Sequence, residues 1–399
     1  MADLVYTGNS RARARARRRE LALAAPLHAR LDWWMLLAVG LIVGYGLWAI
    51  SGITHHDVNG DPGYFVNRQF VFVAIGFVGL VAAVLIDPEV YRRYQKHIYV
   101  GTLVVFIVVF LEGEVKRGSR RWIDVAFFRF QPSEFGKLLF VLFLAAFLAD
   151  RAKRLGESRT VLEAIGFGLV PILLVFVQPD IGTAMVYIAA LAAVLFVAGV
   201  RWVHLAALGI GTLVVILAVL WLLPASGVHV LKDYQAKRLT GFTHPDSDPA
   251  GATYNVAQAR NAVGAGGVNG RGVAGATQTK LNFLPEHATD FAFASLAEQR
   301  GFVGVSALLL LYLLVVWRGL KVIAIARDPF SAIAAGGIVF AFLFQVFVNV
   351  GMTMGVAPVT GIPLPFVTVG GSSMVANLVL IGVLQSIHAR GELGRGGPS

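Results

Sequence analysis

The chain contains no cysteine and few charged residues, and both absences narrow what it can be. Without a thiol it can have no disulfide framework, no thiolate metal site and no cysteine nucleophile. Only 14% of its 399 residues are charged, whereas 57% are hydrophobic. A soluble domain of this length could not bury so much apolar surface, so the natural solvent of much of the chain is lipid.

Acidic residues are scarcer than basic ones, 23 against 34, which gives a formal net charge of +11. In a soluble protein such an excess would indicate nucleic acid. Here six arginines come from one run, "RARARARRR" at 11–19, and most other cations lie in short loops between apolar segments. We therefore interpret the charge as a signal of membrane topology and expect no nucleic-acid partner.

Ten apolar runs approach the length of about 20 residues that a helix needs to cross a bilayer. They lie at about 33–50, 69–86, 97–111, 135–149, 161–177, 183–200, 203–223, 302–317, 332–350 and 374–388. The pattern predicts an all-α polytopic membrane protein with ten transmembrane helices. An even number puts both termini on one side, and the basic loops that share that side make it cytoplasmic by the positive-inside rule.

This topology divides the chain into a basic cytoplasmic arm (1–30), a transmembrane domain (31–390) and a cytoplasmic tail (391–399). A large loop at 224–300, between the seventh and eighth helices, is expected to lie outside. Loops of that length without secondary structure of their own are usually functional or disordered.

The loop at 112–134 is also expected outside, yet it is strongly basic. Its cations are Lys116, Arg117, Arg120, Arg121 and Arg129. Cations on the side that the positive-inside rule leaves poor in them indicate an anion bound at the outer surface. An equal alternative is that the flanking helices simply tolerate a few misplaced arginines.

Polar residues also gather at the outer ends of the spans. Glu134 and Lys137 are three positions apart at the start of the fourth span, where they can pair on one helix face. Asp180 begins the sixth span, and Gln345 and Asn349 lie in the outer half of the ninth. Because charged residues beside spans are costly, their coincidence on one face favours a shared outward-facing cavity.

Each of these residues also has a structural interpretation. Ser133 could cap the fourth span and Asp180 the sixth. The ninth span is followed by a stretch rich in glycine and proline, 351–373, that cannot be a regular helix. Irregular backbone at membrane depth must be buried in protein or line a wet cavity.

The segment 282–301, "NFLPEHATDFAFASLAEQRG", brings two carboxylates and an imidazole to the start of the eighth span: Glu286, His287 and Asp290. A carboxylate at this boundary near cations could act as a general base towards a hydroxyl. Alternatively, Thr289 or Asp290 caps the span. A metal site is a weaker alternative because the spacing matches no standard ligand set.

Upstream in the same loop, the glycine-rich run 263–276 permits close backbone approach or exposes N–H groups to an anion. A flexible linker is an equal alternative for this composition.

Six motifs occur in an order that makes a family resemblance specific. They are "GSRRWI" (118–123), "QPSEFGKL" (131–138), "QPDIGT" (178–183), "YQAKR" (234–238), "LPEHATDF" (284–291) and "PVTGIPLPFVTVGGSS" (358–373). Together they resemble the SEDS family (shape, elongation, division and sporulation), of the RodA/FtsW type, and the large loop is more similar to the RodA type. The chain departs from the family pattern in "TVGGSS", where "SYGGSS" is usual, and in "EQRG" (298–301), where an acidic pair is usual before the glycine.

The resemblance implies a peptidoglycan glycosyltransferase that polymerises lipid II at the outer face of the bacterial cytoplasmic (inner) membrane, for cell elongation or division. It implies a class B penicillin-binding protein as the transpeptidase partner. The essential aspartate of the family falls on Asp290, the expected catalytic residue. The residues expected to bind substrate are Arg120, Arg121, Trp122, Glu134, Lys137, Gln178, Asp180, Gln235, Arg238 and Glu286.

Two other functions compete with this one. A lipid II flippase or solute transporter would place ionisable residues near the midplane of the membrane, reachable from both sides. A scaffold for the penicillin-binding protein would explain the spans but not the outward-facing arginines. No cofactor is implied, and a divalent cation (Mg²⁺ or Mn²⁺) at the diphosphate stays an open alternative.

Overall fold

The computed structural model describes residues 26–58, 60–116, 119–125, 128–227 and 252–395. Within these ranges the chain is mostly helical, with one small antiparallel sheet. The helices, numbered along the chain, are α1 (Trp33–Ile53), α2 (Tyr64–Leu85), α3 (Pro88–Arg93), α4 (Gln95–Glu112), α5 (Pro132–Ala149), α6 (Ser158–Val177), α7 (Ile181–Val197), α8 (Trp202–Leu217), α9 (Ala252–Gly266), α10 (Gly272–Gly275), α11 (Thr277–Lys280), α12 (Ala292–Ile325), α13 (Pro329–Met354) and α14 (Gly371–Arg395).

Nine of the described helices are long and apolar enough to cross a membrane: α1, α2, α4, α5, α6, α8, α12, α13 and α14. The α8 span is extended to Ala225 by a π-helical turn, Ala218–Leu222, and one further helical turn. Helix α7 is equally apolar but has only 17 residues. The apolar runs of the sequence therefore predicted the positions of the long helices, while the count of ten depends on α7.

The helices are not equally buried. Nearly all of α5 is buried, and α14 packs extensively against α2, so these helices lie near the centre of the bundle. By contrast, none of the residues of α8 is buried, and its main neighbour is α7. A helix with apolar residues on all sides and no protein around it is suited to lipid.

The basic loop at 112–134 folds into a small sheet. Strands β1 (Glu114–Lys116), β2 (Ser119–Val125) and β3 (Phe128–Phe130) pair antiparallel in that order. The strands lie between α4 and α5, and β3 leads directly into α5 at Pro132. The sheet therefore fixes the position of this loop beside the start of α5.

The described part of the large loop, from 252 onwards, is also ordered by packing. Glycines let α9 and the segment after it approach α12: a side chain at Gly266 would collide with the Ala297 carbonyl, and one at Gly301 with the Gly270 amide. At Gly301 φ is +65°, which interrupts α12 with a kink. The glycine-rich run thus serves close backbone packing, and the flexible-linker interpretation of it is wrong.

Two cap assignments made from the sequence are also wrong. Helix α5 has Gln131 at its N-cap, without a side-chain cap, and Ser133 lies inside the helix. Helix α12 begins at Ala292, ten residues before the expected start, with Phe291 as the N-cap. Neither Thr289 nor Asp290 therefore caps it. The assignment of Asp180 as the cap of α7 is confirmed, because its carboxylate accepts from the Thr183 amide at 3.2 Å.

Candidate functional site

The polar residues singled out in the sequence meet at one end of the bundle. The starts of α5 and α7, the end of α13, the turn 284–291 and the irregular segment 355–370 come together there. Gly182 at the start of α7 makes part of this contact possible, because a Cβ at that position would clash with the Thr360 carbonyl. The end of the bundle is therefore built by close backbone approach rather than by helix packing alone.

Asp290 lies half-buried in the turn before α12. Its backbone carbonyl accepts a hydrogen bond from Nδ2 of Asn349, near the end of α13, at 3.1 Å. Gly361 passes close to its carboxylate: a Cβ at that glycine would lie 3.4 Å from Asp290 Oδ2. With φ at +71°, Gly361 adopts a conformation that other residues rarely take. The turn thus holds the carboxylate against the irregular segment without removing it from solvent.

Glu134 and Lys137 form the ion pair that their spacing predicted, with 2.9 Å between Lys137 Nζ and Glu134 Oε2. Both side chains are buried, at 2% and 7% exposure. Lys137 also donates to Oε1 of Gln345 on α13, at 2.9 Å. The ammonium group is therefore held by two oxygens from two helices, and it carries one more proton than these two bonds use.

Helix α13 places this pair close to Asp290. Gln345 contacts Lys137, and Asn349, four residues later on the same helix face, contacts the backbone of Asp290. Four residues of α-helix rise about 6 Å. The sequence left open whether these two amides contact substrate or a neighbouring helix, and in the structure both bridge α13 to residues of the site.

A second group of charges surrounds Asp180. Its carboxylate accepts from Nε2 of Gln131 at 3.1 Å and lies 3.4 Å from a guanidinium nitrogen of Arg121 on β2. The Nε atom of Arg121 is buried and has no hydrogen-bond partner among the described residues. Arg129 pairs with Asp124 across the sheet at 3.5 Å. Arg121 and Arg129, the two cations of this loop whose side chains the structure describes, thus have carboxylate partners within the protein, and Arg121 retains a donor that this pairing does not use.

The other residues that the sequence predicted for the site differ in what they contact. The Gln178 amide donates to the Phe106 carbonyl at 2.9 Å, a contact between helices. Glu286 has a positive φ of 53° and accepts from the Thr289 hydroxyl at 2.8 Å. Trp122 is half-buried on β2. Gln235, Arg238 and the side chain of Arg120 lie outside the described residues.

The three polar residues of the turn do not converge on one point. Nε2 of His287 pairs with Asp57, in the connection between α1 and α2, at 3.0 Å. The described residues contain no group of three or more His, Asp or Glu side chains that could hold a metal ion. The metal-site alternative for this turn therefore has no support in its geometry.

Comparison with known proteins agrees with this arrangement. Residues 29–392 match the FtsW/RodA/SpoVE family, described as cell cycle proteins. The peptidoglycan glycosyltransferase MrdB of Escherichia coli K12 is 35% identical over 359 residues, covering 90% of this chain and 93% of MrdB.

Two solved structures resemble the fold. One is from a study of the structural coordination of polymerization and crosslinking by a peptidoglycan synthase complex; its matching chain has a TM-score of 0.77 and 27% identity, with 90% of this chain and 98% of that chain covered. The other is the rod shape determining protein RodA of Thermus thermophilus, with a TM-score of 0.66, 25% identity, and coverage of 90% and 96%. With nearly its whole length matched in sequence and in fold, this polytopic membrane protein belongs to the FtsW/RodA/SpoVE family.

Proposed function

We propose that the chain is a peptidoglycan glycosyltransferase that polymerises lipid II at the outer face of the bacterial cytoplasmic membrane. A role in elongation fits its similarity to MrdB. The observation that carries the proposal is the position of Asp290, which is held half-exposed about one helical turn along α13 from a buried lysine.

The arrangement suits the chemistry of glycan polymerisation. The 4-hydroxyl of the acceptor GlcNAc attacks the anomeric carbon of the donor MurNAc, and Asp290 takes the hydroxyl proton as the bond forms. The bond from the anomeric carbon to undecaprenyl diphosphate breaks with inversion at that carbon. The leaving group gathers negative charge, which Lys137 and the arginines of the sheet stabilise in a site of low dielectric.

Glu134 then orients Lys137, as the 2.9 Å ion pair between them indicates. The substrate contacts that we propose are the ones expected from the sequence: Arg120, Arg121, Trp122, Glu134, Lys137, Gln178, Asp180, Gln235, Arg238 and Glu286. Of these, Gln178 uses one N–H of its side-chain amide on the Phe106 carbonyl, which leaves its second N–H and its oxygen for a ligand.

For the topology we propose ten spans, with α7 as the tenth and both termini in the cytoplasm. The division into arm, transmembrane domain and tail follows from it. In this orientation the Asp290 end of the bundle and the loop at 224–300 face outwards. A helix of 17 residues is about 25 Å long, slightly short for a hydrocarbon core of about 30 Å. A local thinning of the bilayer or burial of one end of α7 in the protein accommodates the difference.

Apolar grooves in the bundle support a binding place for the lipid part of the substrate. Two adjoining apolar grooves, of about 530 and 460 Å³, lie between α7, α8 and α13. Their shared lining includes Ala189, Ala192, Phe196 and Phe344. Because α8 packs so little against the rest of the bundle, a polyprenyl chain can enter beside it from the membrane.

We propose a class B penicillin-binding protein as the partner that crosslinks the glycan, since a similar solved chain comes from a peptidoglycan synthase complex. A divalent cation, Mg²⁺ or Mn²⁺, bridging the diphosphate is compatible with this chemistry, and the proposal does not require one.

The alternative is a lipid II flippase, which must open towards the cytoplasm. At the opposite end of the bundle, Asp32 before α1 is paired with Arg318 of α12 at 2.7 Å and hydrogen-bonded to Gln385 of α14. These contacts fasten three helices together where a transporter would have to separate them. They favour chemistry on a lipid that is already outside.

The decisive experiment is polymerisation of purified lipid II by the detergent-solubilised protein together with its partner. We expect Asp290→Asn to lower the rate by about 100-fold or more, because removal of a general base has an effect of this size. Asp61→Asn, at an exposed carboxylate in the connection between α1 and α2, is the control and should polymerise like the wild type. Equal glycan product from wild type and Asp290→Asn would rule out the general base. Lipid II translocation in vesicles without any glycan product would favour the flippase.

A further inference from the structure

Residues outside the turn that carries Asp290 donate hydrogen bonds to successive backbone carbonyls of that turn. Three successive backbone carbonyls, at Ala288, Thr289 and Asp290, each accept one bond. The donors are the Val369 amide at 3.0 Å, the Thr368 hydroxyl at 3.1 Å and Asn349 Nδ2 at 3.1 Å. All three donors belong to α13 or to the irregular segment that follows it.

The amides of the same turn are bonded within it. The Thr289 and Phe291 amides both donate to the Glu286 carbonyl, each at 3.1 Å. Two amides of the turn are thus bonded within it, whereas three of its carbonyls are bonded to α13 and the irregular segment. Together with the Ser295 hydroxyl, which donates to the His287 carbonyl at 3.1 Å, the three outside donors fix the position of the turn.

The Thr368 hydroxyl both donates and accepts a hydrogen bond. While its hydroxyl donates to the Thr289 carbonyl, the same oxygen accepts from the Leu364 amide at 2.9 Å. The residue is 6% exposed. One buried hydroxyl therefore joins the turn of Asp290 to the loop that precedes α14.

Asn349 makes a similar bridge from α13. Its Nδ2 donates to the Ile362 carbonyl at 2.8 Å as well as to the Asp290 carbonyl, and the residue has no exposed surface. The Ile362 carbonyl follows Gly361 directly, and Gly361 is the residue whose backbone passes close to the Asp290 carboxylate. Asn349 therefore sets the distance between the Asp290 carboxylate and the backbone of Gly361.

We propose that Thr368 and Asn349 are positioning residues for Asp290, acting through the backbone of its turn and not through contact with substrate. The proposal rests on the proposed function, in which Asp290 takes a proton from the attacking hydroxyl. Such a transfer depends on the position of the carboxylate within about 1 Å, and a displacement of that size can lower the rate by about 100-fold. Of the ten proposed substrate contacts only Glu286 lies in this turn, so substrate affinity is expected to change little.

The test compares Thr368→Val with Thr368→Ser in the lipid II polymerisation assay, using the full chain with its partner. Valine has nearly the shape of threonine but can neither donate to Thr289 nor accept from Leu364, whereas serine keeps the hydroxyl. We expect Thr368→Val to lower kcat by about 10- to 100-fold with the KM for lipid II unchanged within about twofold. Thr368→Ser should stay within about twofold of wild type in both parameters.

The amount of folded enzyme is measured separately, by the stoichiometry of lipid II binding, and kcat is expressed per binding site. Asn349→Leu removes the neighbouring donor and should show the same loss of kcat at constant KM. It supplies the comparison if Thr368→Val does not accumulate as folded protein.

Three results would overturn the proposal. An unchanged kcat for Thr368→Val would show that the hydrogen bonds do not govern the base. A raised KM at constant kcat would mean that Thr368 contacts substrate. Equal losses for valine and serine would indicate packing volume instead of the hydroxyl. Inactive wild-type protein would instead count against the proposed function, which keeps the two failures distinct.

Discussion

At the scale of single residues, the buried ion pair of Glu134 and Lys137 can be interpreted in two ways: as a purely structural contact or as part of the chemistry at the diphosphate. A buried pair contributes little net stability, because desolvation of both charges offsets their attraction. Removal of one partner is costly, since it leaves the other charge buried and uncompensated. The two interpretations can therefore be separated by removing one residue or both.

We expect Lys137→Met to lower the free energy of unfolding by about 3 kcal/mol, because Glu134 and Oε1 of Gln345 lose their shared donor. The double variant Glu134→Gln, Lys137→Met should recover most of this stability, as thermal unfolding in detergent would measure. Polymerisation should stay low in both variants if Lys137 stabilises the diphosphate. Recovery of activity together with stability would show that the pair is only structural.

Much of the site could be predicted at this scale, but not the residues that position it. The i, i+3 spacing predicted the pair of Glu134 and Lys137, and the family motif singled out Asp290. Thr368 was noticed only as a departure from the family pattern. Its role depends on contacts with Thr289 and Leu364 that no local spacing reveals. Hydrogen bonds between distant segments are set by the fold and are not visible in a single sequence.

At the scale of helices, hydropathy located the long spans but misplaced the start of α12. The first ten residues of that helix include Glu298 and Arg300, which interrupt the apolar pattern. In the structure Glu298 is fully buried and accepts from the Gln278 and Thr279 amides, at 2.8 and 3.0 Å. Hydropathy describes transfer to lipid, whereas the Glu298 carboxylate is satisfied by hydrogen bonds within the protein. The short helices and strands in the loops at 112–134 and 252–291 escaped prediction for the same reason.

The start of α1 offers a prediction of its own. Asp32 caps the helix through the Met35 amide at 3.0 Å and pairs with Arg318, and its side chain has no exposed surface. Asp32→Asn keeps a capping oxygen but leaves the Arg318 charge without its partner. We expect a loss of about 3 kcal/mol or more in the free energy of unfolding.

The matched control is Asp328→Asn. Asp328 caps α13 through the Ser331 amide, also at 3.0 Å, and makes no ion pair with a described residue. Because asparagine caps helices about as well as aspartate, this change should cost less than about 1 kcal/mol. Equal melting temperatures for the two variants would mean that the Arg318 pair contributes nothing beyond the cap.

At the scale of the whole molecule, the orientation of every element after α7 depends on whether α7 crosses the membrane. If it does, Arg201, which follows α7, lies on the same side as Lys153, which precedes α6. If α7 returned without crossing, Arg201 would lie outside. Helix α8 would then run in the opposite direction and bring the loop containing Leu281, together with Asp290, to the cytoplasm. A lipid substrate on the outer face would be out of reach.

The absence of cysteine makes this testable with single substitutions at three exposed positions, Lys153→Cys, Arg201→Cys and Leu281→Cys. In intact spheroplasts, a membrane-impermeant maleimide should label Leu281→Cys and leave the other two unlabelled, because in the proposed topology only this one of the three positions faces outwards. After the membrane is permeabilised, all three should react, which controls for accessibility. Labelling of Arg201→Cys but not of Lys153→Cys in intact spheroplasts would exclude α7 as a span. Labelling of both Lys153→Cys and Arg201→Cys, without Leu281→Cys, would invert the whole orientation, and with it the side on which Asp290 could meet its substrate.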